Sequence, residues 1–150
     1  MNKKLLFSCT FLFLSFLGFS QSGKLWNSVT KASVTSVSKS TKRVSFPQEF
    51  LLFQINETSF RNNLIAAPTV TSDAKASGVI IMLPNINGEL ERFEMFESSN
   101  FAPELQAQFP EIRAYAGVGM DDKFAQVRLS VDPNGIQAMI FRTDKDNEFI

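Results

Sequence analysis

The sequence of 150 residues contains no histidine and a single cysteine, Cys9. The absence of histidine removes the commonest general base, the commonest zinc ligand and the usual pH-sensitive side chain. One cysteine allows no disulfide bond within the chain and no thiolate cluster for a metal ion. A zinc site here would need carboxylates or that one thiol, and the fold has to be stabilised by packing or by bound ions.

The sequence also lacks an excess of charge of either sign. It has 15 basic and 15 acidic residues, and loss of Lys3 and Lys4 with the N-terminal leader would leave 13 against 15, a net charge of −2. A chain with this balance has no electrostatic footprint for nucleic acid or for an anionic membrane. Its 44% hydrophobic and 20% charged residues are typical of a globular protein, and its length suits one domain.

The first 20 residues have the pattern of a signal peptide. The two lysines precede an uncharged apolar run over residues 5–17, and the small residues Gly18 and Ser20 occupy the −3 and −1 positions before Gln21. This order of basic, apolar and small residues is typical of export signals that are removed. The sequence therefore predicts a chain that is exported through the Sec pathway, cleaved between Ser20 and Gln21, and secreted to the extracellular space.

Two alternatives to a cleaved signal fit the sequence less well. An uncleaved membrane anchor would need about 20 apolar residues, and the run over 5–17 is shorter than that. A lipoprotein would need Cys9 to follow a longer apolar segment than the one present. We therefore expect no stable membrane span after removal of the leader.

Residues 21–45 are rich in serine, threonine and lysine, with scattered apolar residues that follow no clear period. This composition predicts a flexible, exposed arm. Trp26 is its one large aromatic residue, and two interpretations of it are open. It packs partly buried as an anchor, which is the commoner role of such a residue, or it docks on a partner surface.

Residues 46–150 predict an α+β domain, β-rich, with an antiparallel sheet of hairpins and two short helices. Asn56 is a candidate N-cap for a helix over about 57–66, which Pro68 ends. Pro103 stands near the start of a second helix, over 104–109, where its missing N–H costs nothing.

Two hairpins give the clearest strand signals. In the first, an apolar strand over 79–83 is joined through Asn87-Gly88 to a strand over 90–97, in which Phe93 and Met95 share one face. The second surrounds the turn sequence "DPNG". A short strand over 112–115 lies between the hairpins, and two glycines after it are expected to loosen its end.

Carboxylates are the only candidates for chemistry in this chain. Asp121 and Asp122 follow the glycine-rich "AGVG", although adjacent aspartates are also typical of a solvated turn. The glutamates of the first hairpin are interpreted as its solvated face. The "DKDNE" run over 144–148 lacks the central glycine and the correctly spaced glutamate of a calcium loop. The sequence assigns no catalytic residue, no cofactor-binding residue and no metal ligand.

The segment "SSNFAPELQAQFPEIRAYAGVGMDDKFAQVRLSVDPNGIQAMI" resembles the amino-terminal region of secreted bacterial reprolysin-like zinc metallopeptidases. The resemblance extends over most of the chain from about residue 46 onward. The positions that carry it are Ala102, Pro103, Glu104, Leu105, Pro110, Glu111, Ile112, Arg113, Tyr115, Gly117, Asp121, Arg128, Gly135, Ala138 and Met139.

In that family a signal peptide and prosegment precede a catalytic domain with a His-Glu-x-x-His-x-x-Gly-x-x-His motif, often followed by adhesive domains and a type IX secretion signal. The resemblance implies that this chain is the leader and prosegment, which assists folding and latency. Zinc would belong to the catalytic domain downstream, which would be the intramolecular partner, and this chain itself would hold no cofactor. The apolar end of the sequence also leads us to expect a continuation beyond residue 150.

The resemblance raises the question of how a prosegment without a thiol could block a zinc enzyme, because Cys9 would leave with the leader. A carboxylate can take the open position on zinc, and Asp121 or Asp122 is the candidate inhibitory residue. Arg113 and Arg128 are either ordinary surface charges or contacts to the enzyme. Two other classes stay open: a stand-alone secreted β-rich binding or adhesion module, and an independent hydrolase that uses carboxylates.

Overall fold

The computed structural model describes residues 25–30, 49–70 and 77–150. Within these ranges the chain forms eight strands and two short helices, so the predicted α+β class with a mostly antiparallel sheet is confirmed. The predicted leader over 1–20 and its cleavage site at Ser20–Gln21 lie outside the described residues.

The described strands form a two-stranded sheet and a six-stranded sheet. In the larger sheet every strand pairs antiparallel with its neighbour in the sequence, from β3 to β8, which makes it a simple meander. The bounds are β1 Trp26–Val29, β2 Leu52–Ile55, α1 Glu57–Ile65, β3 Val79–Pro84, β4 Leu90–Glu97, α2 Pro103–Gln108, β5 Arg113–Gly119, β6 Gln126–Asp132, β7 Gly135–Phe141 and β8 Glu148–Phe149.

One face of the meander, called here the core face, carries the buried apolar side chains. Strand alternation places Phe93 and Met95 on this face, as predicted, and both are fully buried. Helix α1 covers the core face with Phe60 and Leu64, which are 0% and 1% exposed. Burial of two such side chains contributes about 1.5–3 kcal/mol each relative to exposure.

Helix α1 begins and ends close to the predicted residues. The side chain of Asn56 accepts a hydrogen bond from the Ser59 backbone N–H at 3.1 Å, which is the predicted N-cap. Arg61 donates to the carbonyls of Asp132 and Gly135 at 2.6 and 3.3 Å. The helix is therefore fastened to the β6–β7 turn as well as to the core.

Of the predicted flexible arm over 21–45 the structure describes only residues 25–30, which form strand β1 instead; the rest of the arm lies outside the described residues. Residues Trp26–Val29 pair with β2, and Trp26 is only 9% exposed. Its ring contacts Phe53 and Phe60 edge-to-face at 6.2 and 5.7 Å, and its Nε1 donates to the Met82 carbonyl at 2.8 Å. Of the two roles considered for Trp26, the structure shows the packing anchor, and the indole connects β1 to the larger sheet.

Strand β5 is longer than the predicted 112–115, because it continues through the two glycines to Gly119. A Cβ added at Gly117 would lie 2.9 Å from both the Glu94 carbonyl oxygen and Val127 Cγ1, and would overlap Met95 Sδ. Glycine at this position leaves room for the side chains of Met95 and Val127 to pack directly against the backbone of β5. The expectation of a loosened strand end is wrong, since the missing side chain serves close packing here.

The meander brings three connections to one end of the sheet, called here the turn end. They are the β3–β4 turn over 85–89, the β5–β6 turn over 120–125 and the β7–β8 turn over 142–147. The opposite end holds α2 and the β6–β7 turn. Asp121 and Asp122 therefore lie at the turn end.

Candidate functional site at the turn end

Asp121 forms an exposed ion pair with Arg92, the third residue of β4. The carboxylate accepts hydrogen bonds from Arg92 Nη2 at 2.5 Å and from Arg92 Nε at 3.0 Å. It also accepts one from the Arg92 backbone N–H at 2.8 Å. The two side chains are 53% and 38% exposed, for Arg92 and Asp121 respectively. This pair fastens the β5–β6 turn to β4 on the solvent side.

Asp122 points to the other side of the same turn. One carboxylate oxygen accepts from the Phe124 backbone N–H at 3.0 Å, which closes a short turn of the kind that aspartate favours. The other oxygen accepts from Arg142 Nη1 at 3.1 Å. Gly119 makes this geometry accessible, because any Cβ there would overlap the Asp122 carbonyl oxygen.

Arg142 is the centre of a buried ionic cluster at the turn end. Its side chain is 1% exposed and contacts three carboxylates, with distances of 2.7 Å to Glu91, 3.1 Å to Asp122 and 2.8 Å to Glu148. A buried guanidinium is costly unless its donors are satisfied, and here each charged contact comes from a different connection or strand. We call these four residues the Arg142 cluster.

Asn85 extends the Arg142 cluster into the β3–β4 turn. Its Oδ1 accepts from the backbone N–H groups of Asn87 and Glu89, both at 2.9 Å, and its Nδ2 donates to Glu91 Oε1 at 2.9 Å. Glu148 also accepts from the Ile86 backbone N–H at 3.1 Å. The three turns are consequently joined by one continuous hydrogen-bonded network.

The pKa values of the cluster follow from these contacts. Burial alone would lower the pKa of Arg142, but hydrogen bonds to Glu148 and Glu91 and their charges outweigh it, so the pKa is raised. The hydrogen bond from the Phe124 N–H is the largest cause that lowers the pKa of Asp122; desolvation opposes it, and the hydrogen bond and charge of Arg142 lower the pKa further. Hydrogen bonds from Arg92 lower the pKa of Asp121. Both aspartates are therefore ionised at neutral pH.

This arrangement favours positioning over proton transfer. A general acid or base needs a pKa near the working pH, whereas these aspartates are shifted away from it and the arginine is permanently charged. The Arg142 cluster instead holds the base of the β5–β6 turn in place through Asp122. The turn projects Phe124, which is 74% exposed, together with Met120, which is 38% exposed.

The structure thus brings both predicted aspartates to one turn, yet gives them different surroundings. The residues that sequence analysis missed are Arg142, Glu91, Glu148 and Asn85. The sequence did carry a signal for two of them. Glu91 lies two residues before Phe93, and Arg142 lies two residues after Ile140, so strand alternation places both on the core face.

The interpretation of the hairpin glutamates as a solvated face is wrong for two of them. Glu91 is 19% exposed and bound to Arg142, and Glu97 is 16% exposed and bound to Arg113 at 2.5 Å. Strand alternation places both glutamates on the same face of β4 as the buried Phe93 and Met95. A buried carboxylate is costly without a partner, so each needs a cation on that face. Arg113 is accordingly an ion-pair partner at the other end of the sheet.

The described residues contain no group of three or more His, Cys, Asp or Glu side chains arranged to hold a metal ion. The "DKDNE" run contributes Glu148 to the Arg142 cluster, and its Asn147 accepts from the Arg142 backbone N–H at 3.2 Å. Among the helices of the described ranges, none is long and apolar enough to cross a membrane.

Comparison with protein-family models, with curated proteins and with solved structures returned no match to this chain. The resemblance to the metallopeptidase precursors therefore rests on the sequence pattern between residues 98 and 140.

Proposed function

We propose that this chain is the leader and prosegment of a secreted zinc metallopeptidase precursor, in which it assists folding of the catalytic domain and keeps it latent. The observation that carries the proposal is the braced β5–β6 turn, which projects an exposed aromatic side chain from a rigid sheet. The sequence pattern of the resemblance spans this turn. Several of its positions hold the surrounding framework, including the buried Tyr115 and Ala138 and the closely packed Gly117.

A turn of this kind suits the obstruction of a cleft. Its base is fastened on both sides, by Arg92 to Asp121 and by Arg142 to Asp122, so little conformational entropy is left to lose on binding. Phe124 stands at its tip and offers a large apolar surface. In the proposed complex the tip enters the catalytic cleft and excludes substrate.

The two aspartates stay candidates for the zinc ligand that would complete inhibition. In this structure their oxygens are occupied by arginine and backbone donors. Exchange of a partner for zinc costs less for Asp121, because its partner Arg92 is exposed and can turn to water. Asp122 would leave Arg142 with one carboxylate fewer inside a buried cluster, so Asp121 is the better ligand of the two.

Assistance in folding is consistent with the topology. Each strand of the meander pairs with its sequence neighbour, so the contacts are local along the chain. Pairing between sequence neighbours closes shorter loops than crossover connections would, so less loop entropy is lost when the sheet forms. A prosegment that folds first can present a finished surface to the domain that follows.

The test is inhibition of the peptidase domain encoded after residue 150 by purified residues 21–150. We expect the parent to inhibit and Phe124→Ser to inhibit less, with the Asp121→Ala, Asp122→Ala and double variants resolving the ligand role. Equal inhibition by all three aspartate variants would remove the ligand role. Absence of any downstream peptidase, or peptide hydrolysis by residues 21–150 with zinc alone, would overturn the proposal.

A second function, a stand-alone secreted binding or adhesion module, is favoured by one observation. The face of the meander opposite the core face carries exposed apolar side chains, among them Ile80 at 56% and Val118 at 46%. Glu94 lies between them in the register, and exposed apolar side chains mixed with charged ones on one sheet face suit an interaction site. A stop codon directly after residue 150 would favour this second function over the first.

A further inference from the structure

The face of the meander opposite the core face, called here the outer face, has a trough along its middle. Strand β5 contributes only small or short side chains to this face, namely Ala114, Ala116 and Val118. The flanking strands contribute longer ones: in register with Ala116, β4 places Phe96 and β6 places Arg128. The two walls stand two strand spacings apart, about 9–10 Å.

The trough is an open depression of about 210 Å³, lined chiefly by Phe96, Ala116, Val118, Gln126 and Arg128. Pockets for small molecules and cofactors enclose about 300–1,000 Å³ and bury most of their ligand. This depression is smaller and open to solvent. Its size suits a protruding side chain of another protein and not a free cofactor.

Arg128 gives the trough its charge. The residue is exposed on the wall, and no ion pair or side-chain hydrogen bond of Arg128 occurs among the described residues. The nearest acid on the opposite wall strand, Glu94, accepts a hydrogen bond from the Gly78 N–H at 2.9 Å, on the side away from Arg128. The trough therefore offers an apolar floor beside one uncompensated positive charge.

A second copy of this chain packed with its outer face against this one does not complement the trough. A two-fold axis along β5 would place one concave floor over another, and the small side chains of both copies would enclose a void instead of packing. The surface that fits is a ridge with an apolar side chain for the floor and a carboxylate for Arg128.

We infer that the trough on the outer face docks such a ridge of the peptidase domain, with an aspartate or glutamate of that domain paired to Arg128. The inference rests on the proposed function for the identity of the partner. It adds a second contact surface, on a face of the sheet that the projecting β5–β6 turn does not use. Of the two roles considered for Arg128, this is the contact to the enzyme.

The experiment uses the secreted full-length precursor with the photocrosslinking amino acid p-benzoylphenylalanine at one position. The probe replaces Gln126, on the rim of the trough, or Gln54, which is also exposed and lies on β2 in the two-stranded sheet. We expect a crosslink from position 126, and none from 54, to a peptidase segment that contains an acidic residue. Mass spectrometry identifies the segment.

Arg128→Gln in the same precursor should reduce the crosslink from position 126 by about tenfold, because loss of one partner of a charge pair at an interface weakens the contact strongly. Its urea midpoint should match that of the parent, which shows that the fold is intact. Gln54→Glu makes the same change in charge on the other side of the molecule and should leave the crosslink unchanged.

The outcomes separate the two proposals. A latent precursor that gives no crosslink at 126, or equal crosslinks at 126 and 54, or a yield unaffected by Arg128→Gln, overturns the docking site and leaves the proposed function standing. A crosslink to a second copy of this segment also overturns it. A precursor without a peptidase, or active before processing, overturns the proposed function and the docking site together.

Discussion

Asp121 and Asp122 are neighbours in one turn, yet they belong to two different electrostatic regions. Asp121 pairs with Arg92, whose side chain is 53% exposed, whereas Asp122 pairs with Arg142, whose side chain is 1% exposed. The same contrast occurs on β4, where Arg92 faces solvent and its neighbour Glu91 joins the buried cluster. Side-chain identity is similar in the two regions, and the difference is which face of the sheet each residue occupies.

The face of the sheet on which a charged side chain lies decides how much that charge contributes to the stability of this protein. An exposed ion pair stays hydrated and contributes little to stability. A charge on the core face has to be matched by partners, because removal of one partner leaves the others buried and unpaired. The turn end is therefore rigid because of its inner cluster, while the outer pair orients the turn without carrying much of the stability.

Removal of the central cation of the Arg142 cluster should have the largest effect on stability. Arg142→Ala leaves three carboxylates close together without their common partner, and we expect the free energy of unfolding to fall by about 3–5 kcal/mol. Urea unfolding followed by circular dichroism measures the change. Arg92→Ala is the matched control on the exposed side and should shift the midpoint only slightly. Equal losses from both variants would contradict the distinction.

A second test applies the same rule to adjacent uncharged positions on β5. Gly117→Ala adds a methyl group against Met95 and the Glu94 carbonyl on the core face, and we expect a loss of about 1–3 kcal/mol from overpacking. Ala116→Val, one residue earlier, points its added methyl groups to the outer face and should change stability little. Thermal unfolding measures the stability of the two variants. A larger loss of stability from Ala116→Val than from Gly117→Ala would contradict the faces assigned to the two residues.

A third test uses acid. Both aspartates have lowered pKa values in the folded state, so their stabilising contribution is present above the unfolded value of about 3.9 and is lost as the pH falls through the folded values. We expect stability to drop below about pH 4 in the parent. Asp122→Asn should be less stable than the parent at pH 7 and should converge with it at low pH. A difference that persists unchanged into acid would show that the charge of Asp122 is not its cause.

The smallest expected effect is the change in ion-pair coupling energy with salt concentration. The Arg92–Asp121 pair is open to solvent, and mobile ions screen such pairs over a Debye length of about 10 Å at 0.1 M. A double-mutant cycle of Arg92→Ala and Asp121→Ala should give a coupling that fades as salt rises. The corresponding cycle of Arg142→Ala and Glu91→Ala should keep most of its coupling, because that pair is shielded from solvent. Similar salt dependence in the two cycles would count against their different burial.

Much of the fold could be predicted from local pattern. The cap at Asn56, the proline near the start of α2 and the alternation around Phe93 all depend on residues close in sequence, and the structure confirms them. Trp26 and Arg142 could not be placed in the same way. Trp26 reaches the Met82 carbonyl across 56 residues, and Arg142 reaches Glu91 across 51, so both depend on the register of the whole meander.

The class of the fold, the helices and the hairpins follow from local sequence, because backbone preferences, caps and alternation act over a few residues. The sequence also limited the candidate chemistry to carboxylates. The arrangement of the strands is needed to tell which of two adjacent aspartates joins a buried cluster, and that Arg128 stands beside a trough without an ion pair among the described residues. Both depend on the register of the six strands, which many weak local preferences set together. The register decides whether charges that are distant in sequence come into contact or stay in water.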